Sequence, residues 1–92
     1  MEALTSQEVK ERISNLPGWQ IEDGELVRTF QFQDFRQALS FVNRVGEAAE
    51  ASGHHPDIDI RYSRVRIALI THDAGGLTDK DFALATQANR LA

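Results

Sequence analysis

Three histidines carry most of the reactive chemistry in this chain, and all of them fall within one fifth of its 92 residues: His54, His55 and His72. The first two stand side by side in the run EASGHHPD, from Glu50 to Asp57, with a glycine in front and a proline behind. Two chemistries suit imidazoles flanked by carboxylates. A metal site would use neutral imidazoles, with Asp57 or Asp73 as an oxygen donor. Adjacent residues on an extended chain point to opposite sides, however, so His54 and His55 are poorly arranged to chelate one ion. General acid–base catalysis asks less. Imidazole titrates near pH ~6.5, so two of them hold one proton donor and one acceptor at neutral pH. Glu50, one helical turn before His54, and Asp81, after the His72 loop, are placed to set the tautomers. No cysteine is present, no GxSxG surrounds a serine, and there is neither a P-loop nor a dinucleotide fingerprint. DAGGLT is too short a glycine signal to mean phosphate binding. The residues read as a small acid–base catalyst without a metal.

These side chains need elements to hold them. LTSQEV announces a first helix, with Thr5 as cap, Glu8 closing a capping box and Leu4 packing on Val9. Pro17 and Gly18 end it. Asp23-Gly24 between two strand-like runs predicts a two-residue hairpin, with Leu26, Phe30 and Phe32 on one face and Val27 and Thr29 on the other. Asp34 caps a long helix whose stripe is Phe35, Ala38, Leu39, Val42, Val45 and Ala49, running to about Ala51 with Gly53 as its stop. A third strand follows Pro56, with Ile58, Ile60 and Tyr62 on one face and Asp59 and Arg61 on the other. Ser63-Arg64 is read as a turn, and a fourth strand alternates from Val65 to its end at His72. Thr78 and Asp81 open a last helix through Phe82, Ala85 and Ala88. The order α-β-β-α-β-β-α predicts an α+β fold, a four-stranded antiparallel sheet with helices packed on one face. A hairpin brings the start of its third strand beside the end of its fourth, so His54 or His55 can meet His72 there.

Composition narrows the rest. Residues 1–92 make one domain, and a chain this short buries only roughly 60–65% of its unfolded surface, which makes self-association a natural way to gain burial. Charged residues are 26% and hydrophobic ones 41%, the balance of a globular protein. The net charge of −4 and a single cluster of Arg61, Arg64 and Arg66 argue against nucleic acid as a ligand. No apolar run approaches the ~20 residues of a membrane span, and the N-terminus has no apolar signal-peptide core, so the expected location is cytoplasmic.

Glu50, His54-His55-Pro56, Tyr62, His72 and Asp81, seven positions over 32 residues, resemble the signature of the pterin-4a-carbinolamine dehydratases, also known as dimerisation cofactors of a homeodomain transcription factor. The resemblance extends from LPGW to the last helix. It implies elimination of water from a 4a-hydroxytetrahydropterin to give quinonoid dihydropterin, in the recycling of the tetrahydropterin used by aromatic amino acid hydroxylases. No cofactor and no metal would be needed. His54 and His72 would be the acid–base pair, with His55 holding the pterin and its hydroxyl. Glu50 and Asp81 would orient the imidazoles or bind polar ring edges, Pro56 would set the extended geometry of His55, and Trp19 would form a pocket wall or pack in the core. Tyr62 fits core or interface. Ile58 departs from the aromatic that animal members often carry there, which affects substrate affinity more than chemistry. A homodimer or homotetramer is implied, with a functional link to a hydroxylase. The alternatives are a non-catalytic interaction module and a role in molybdopterin metabolism.

Overall fold

A computed structural model describes residues 1–92. Helix α1 spans Ser6–Ile13, and Thr5 and Glu8 form the full capping box. Strands β1 (Gln20–Glu22) and β2 (Glu25–Gln31) pair with Glu22 opposite Glu25, so the turn is Asp23-Gly24. Both turn residues have positive φ, as the tight right-twisted hairpin requires. Helix α2 covers Phe35–Ser52, capped by the Asp34 side chain on the Gln37 N–H. Strands β3 (Asp57–Arg61) and β4 (Arg64–Leu69) form the second hairpin, and α3 runs over Asp79–Leu91.

The sheet order is β1-β2-β4-β3, antiparallel throughout, which confirms the predicted α+β architecture. Leu26 and Phe30 of β2 and Val65, Ile67 and Leu69 of β4 point to one face. Ala38, Phe41, Val45 and Ala49 of α2 and Phe82, Leu84, Ala85 and Ala88 of α3 cover that face. Helix α1 buries none of its residues fully, although Val9 and Ile13 lean on the core.

The structure differs from the sequence-based expectation in four places. The α2 stripe is rotated: Phe41 is fully buried, whereas Phe35 and Leu39 are 47% and 41% exposed. Helix α3 and the sheet contact only part of the broad apolar arc of α2, the part that carries Ala38, Phe41, Val45 and Ala49. The β3–β4 turn is Tyr62-Ser63, since Arg61 pairs with Arg64. Tyr62 therefore belongs to no strand face; it sits at φ 52° and is exposed. Finally, β4 stops at Leu69, and His72 opens a single 3-10 turn, His72–Ala74, instead of ending a strand. A bridge between Thr71 and Gly76 ties that loop at its base.

Candidate active site

Helix α2 delivers the first two histidines. Gly53 adopts the left-handed conformation at φ 67°, its N–H reaching the Glu50 carbonyl while the His54 N–H reaches the Ala49 carbonyl at 3.2 Å. This paired closure of the helix end fixes the backbone of His54 and turns the chain out of its axis. A four-residue spacing on a continuing helix would have stacked His54 on Glu50. The turn instead sends His54 inward, and Glu50 bonds His55. The His55 and Glu50 side chains stay 62% and 76% exposed, so this pair lies in water.

Helix α3 delivers the partner of His54. Asp81 is completely buried, and its Oδ1 lies 2.6 Å from His54 Nε2. Its Oδ2 accepts the Thr78 N–H at 2.9 Å and the Thr71 hydroxyl at 2.8 Å. The two roles weighed for Asp81, helix cap and imidazole orienter, are thus divided between its two oxygens. The negative end of α2 faces the imidazole and the positive end of α3 holds the carboxylate, so both helix dipoles favour the pair. No buried side-chain polar atom in the protein lacks a hydrogen-bond partner.

Gly53, His54, His55, Ile70, Thr71, His72, Asp73 and Lys80 line one hollow of about 280 Å3. All three histidines meet there, at the end of the sheet where β3 starts and β4 finishes. His72 is exposed at its rim. A slightly larger hollow of about 310 Å3 lies between α1 and α3 and contains no histidine; chemistry, not size, marks the candidate site. Pro56, half-buried, leads from His55 into β3. Trp19 lies elsewhere, 5% exposed, edge-on to Phe30, with Nε1 donating to Asn89 at 2.7 Å. Asn89 is eight residues beyond Asp81, about 12 Å along α3. Trp19 packs in the core and does not line the histidine hollow.

Residues 2–91 match the family model described as pterin 4 alpha carbinolamine dehydratase. The chain belongs to this family. A protein of Acidobacterium capsulatum provisionally named pterin-4-alpha-carbinolamine dehydratase is 55% identical over 91 residues, with 99% of each chain covered. One from Chloroflexus aurantiacus with the same provisional name is 54% identical, covering 99% of this chain and 98% of its own. Among solved structures, a transcriptional coactivator/pterin dehydratase from Brucella melitensis superimposes with a TM-score of 0.96 at 35% identity, 99% of each chain being covered. A pterin dehydratase-like protein described as a RuBisCO assembly factor in the alpha-carboxysome has a TM-score of 0.66 at 25% identity, covering 80% of this chain and 86% of its own.

Within this pterin-4a-carbinolamine dehydratase family member, three site residues went unread in the sequence. Thr71 continues the inward series Val65, Ile67, Leu69, which puts a hydroxyl where an apolar side chain belongs. That polar residue on an apolar parity was the available signal. The sequence marks Thr78 only as a cap, yet its hydroxyl also contacts that of Thr71 at 2.8 Å. Lys80, in the first turn of α3, is a cation at the helix end that disfavours one, and it makes no ion pair. A residue that breaks a local rule without compensation is a candidate for function.

Proposed function

We propose that this protein is a hydro-lyase that converts a 4a-hydroxytetrahydropterin into quinonoid dihydropterin and water, as a step of tetrahydropterin recycling. The observation that carries the reading is the His54–Asp81 pair, held beside His55 and His72 at one hollow of about 280 Å3, near the lower end of small-ligand pockets. Family membership supports the substrate class.

The reaction breaks the bond from carbon 4a to its hydroxyl oxygen and forms a double bond to the neighbouring ring nitrogen. The leaving oxygen takes a proton, and the nitrogen gives one up. His54, with Nε2 committed to Asp81, offers Nδ1 as the base for the nitrogen proton. His72 at the rim serves as the acid for the hydroxyl, and His55 with Glu50 holds the polar edge of the ring. Each positioned proton transfer contributes roughly 10²–10⁴-fold. The chain's own side chains supply both transfers, and the proposed reaction draws on no organic cofactor.

Self-association into a homodimer or homotetramer is part of the proposal. Strand β3 leaves one sheet edge open, and Phe35, Leu39 and Tyr62 are exposed large apolar side chains. No helix is long and apolar enough to cross a membrane, and a cytoplasmic setting beside an aromatic amino acid hydroxylase suits the substrate. The coactivator and assembly-factor descriptions of the two structural neighbours belong to those proteins. A binding role of that kind here would survive loss of the histidines.

The deciding experiment is a stopped-flow dehydration assay that follows loss of 4a-hydroxytetrahydropterin by ultraviolet absorbance. The wild-type chain accelerates the reaction, and His54→Ala loses about 10²-fold or more while remaining folded. A folded wild type that gives no acceleration would refute the dehydratase reading and favour the binding role.

A further inference from the structure

With Asp81 ionised, the buried cluster behind His54 has one consistent arrangement of its hydrogens. Asp81 Oδ2 accepts the Thr71 hydroxyl at 2.8 Å and the Thr78 backbone N–H at 2.9 Å. Thr71 has a single hydroxyl hydrogen. With that hydrogen on Asp81, the 2.8 Å contact between the two threonine hydroxyls must be Thr78 donating to Thr71. Thr78 Oγ1 in turn accepts the Lys80 N–H at 3.3 Å. The direction therefore runs from Thr78 to Thr71 to Asp81. An ionised carboxylate has no hydrogen of its own and acts as an acceptor at both oxygens. The hydrogen in the 2.6 Å contact to Oδ1 then comes from His54 Nε2. A neutral imidazole that carries its proton on Nε2 has its lone pair on Nδ1.

We infer that Thr71 is a positioning residue for the acid–base chemistry, selecting the His54 tautomer through Asp81. This rests on the dehydratase reading for its consequence in turnover, but the tautomer itself does not. The torsion about an aspartate's carboxylate bond is soft, so the plane of Asp81 is set by what its oxygens touch. Removing the Thr71 hydroxyl takes one of the two donors from Oδ2 and leaves the Thr78 hydroxyl without its acceptor. The carboxylate can then rotate away from His54. Displacements on the order of 1 Å near a reacting group cost about 10²-fold. Thr71 is itself fixed, its N–H reaching the Gly76 carbonyl at 3.1 Å and its carbonyl taking the Gly76 N–H at 3.4 Å. It also directly precedes His72. One tied segment thus sets the imidazole at the rim and, through Asp81, the imidazole at the back.

The test combines nitrogen-15 spectra of the histidine rings with kinetics of Thr71→Val and Thr71→Ser. The spectra of the wild type show His54 with its proton on Nε2, and Thr71→Val shows a mixture with Nδ1 protonation. In turnover, Thr71→Val loses about 10- to 100-fold in kcat, with KM within about threefold and an altered pH profile. Thr71→Ser, which keeps the hydroxyl, restores kcat to within about threefold. A wild-type His54 protonated on Nδ1 overturns the inference, even if Thr71→Val proves unfolded. So does a folded Thr71→Val with wild-type kcat and pH profile. If the wild type has no dehydratase activity, the enzyme reading falls, and the spectra alone still decide the role of Thr71.

Discussion

The imidazole of His54 rests on a carboxylate that solvent does not reach: Asp81 Oδ1 lies 2.6 Å from Nε2, with the Asp81 side chain 0% exposed and that of His54 12%. Changing that carboxylate to an amide has a defined outcome. Only one orientation of an asparagine leaves an oxygen at the Oδ2 position, where the Thr78 N–H and the Thr71 hydroxyl need an acceptor. The same orientation sets an N–H2 donor against His54 Nε2. His54 must then carry its proton on Nδ1, the nitrogen assigned to the base. Asp81→Asn should fold and lose about 10²–10⁴-fold in kcat. Circular dichroism together with steady-state kinetics checks this, and a kcat within tenfold of wild type would reduce Asp81 to a helix cap.

His72 stands on an exposed 3-10 turn with no hydrogen-bonded partner for its ring, so its removal separates chemistry from stability. Surface substitutions of this kind change stability by within about 0.5 kcal/mol. His72→Ala should melt with the wild type while turnover falls by about 10²-fold, as for a lost acid. Differential scanning calorimetry beside the dehydration assay measures both. A large loss of melting temperature would show that the turn depends on the imidazole.

The Glu50–His55 pair is bonded but exposed on both sides, at 76% and 62%. Solvent-exposed pairs contribute about 0–1 kcal/mol to stability. Glu50→Gln is therefore expected to leave stability almost unchanged and to raise KM more than it lowers kcat, because in the proposed reaction the pair holds substrate and does not move its protons. Michaelis–Menten analysis of the variant tests the split, and an unchanged KM would remove Glu50 from the site.

What the sequence disclosed follows the range of the physics involved. Capping boxes at Thr5 and Thr78 and the Asp23-Gly24 turn are local chemistry, and all three stand where their residues put them. The meeting of the histidines was also legible, because a hairpin fixes which strand ends are neighbours. The end of β4 was not. Alternation continues from Val65 to His72, but Asp57 opens β3 opposite Ala68 and Leu26 lies near the start of β2 opposite Leu69. Beyond that point neither side offers a partner strand, and pairing length is not written in one strand alone. Which carboxylate serves which imidazole was equally hidden. Spacing set Glu50 near His54, and the left-handed turn at Gly53 exchanged the partners.

The rotated face of α2 gives a contrast between two phenylalanines. Phe41 is fully buried, its ring centroid 4.7 Å from that of Phe30 and 4.9 Å from that of Phe32. Removing such a ring costs about 3–5 kcal/mol. Small domains have only about 5–15 kcal/mol in total, so Phe41→Ala should be close to unfolding at room temperature. Phe35, 47% exposed, is on the same helix and should cost the isolated chain far less when changed to alanine. Urea titrations of both variants give the comparison, and sedimentation of Phe35→Ala reports whether that ring supports self-association. Equal costs in the two variants would contradict the burial of α2.

The start of α1 should be sensitive to acid. The Thr5 backbone N–H donates to the Glu8 carboxylate at 2.8 Å, and the Thr5 hydroxyl contributes as well. These contacts hold the Glu8 carboxyl below its ordinary value of 4.5. A folded-state value below the unfolded one means that the charged form is favoured by folding. Its contribution is present above the unfolded value and is lost as pH falls through the lowered folded value. Because α1 buries none of its residues fully, the loss should appear as fraying of this helix before the sheet opens. Protection of the Ser6–Ile13 amides, taken relative to the intrinsic exchange rate at each pH, should therefore fall below pH 4.5 in the wild type. In Glu8→Gln the α1 amides should exchange faster than wild type at neutral pH, with the difference closing in acid. A difference that stays constant through the acid range would mean that the carboxylate charge plays no part in holding α1.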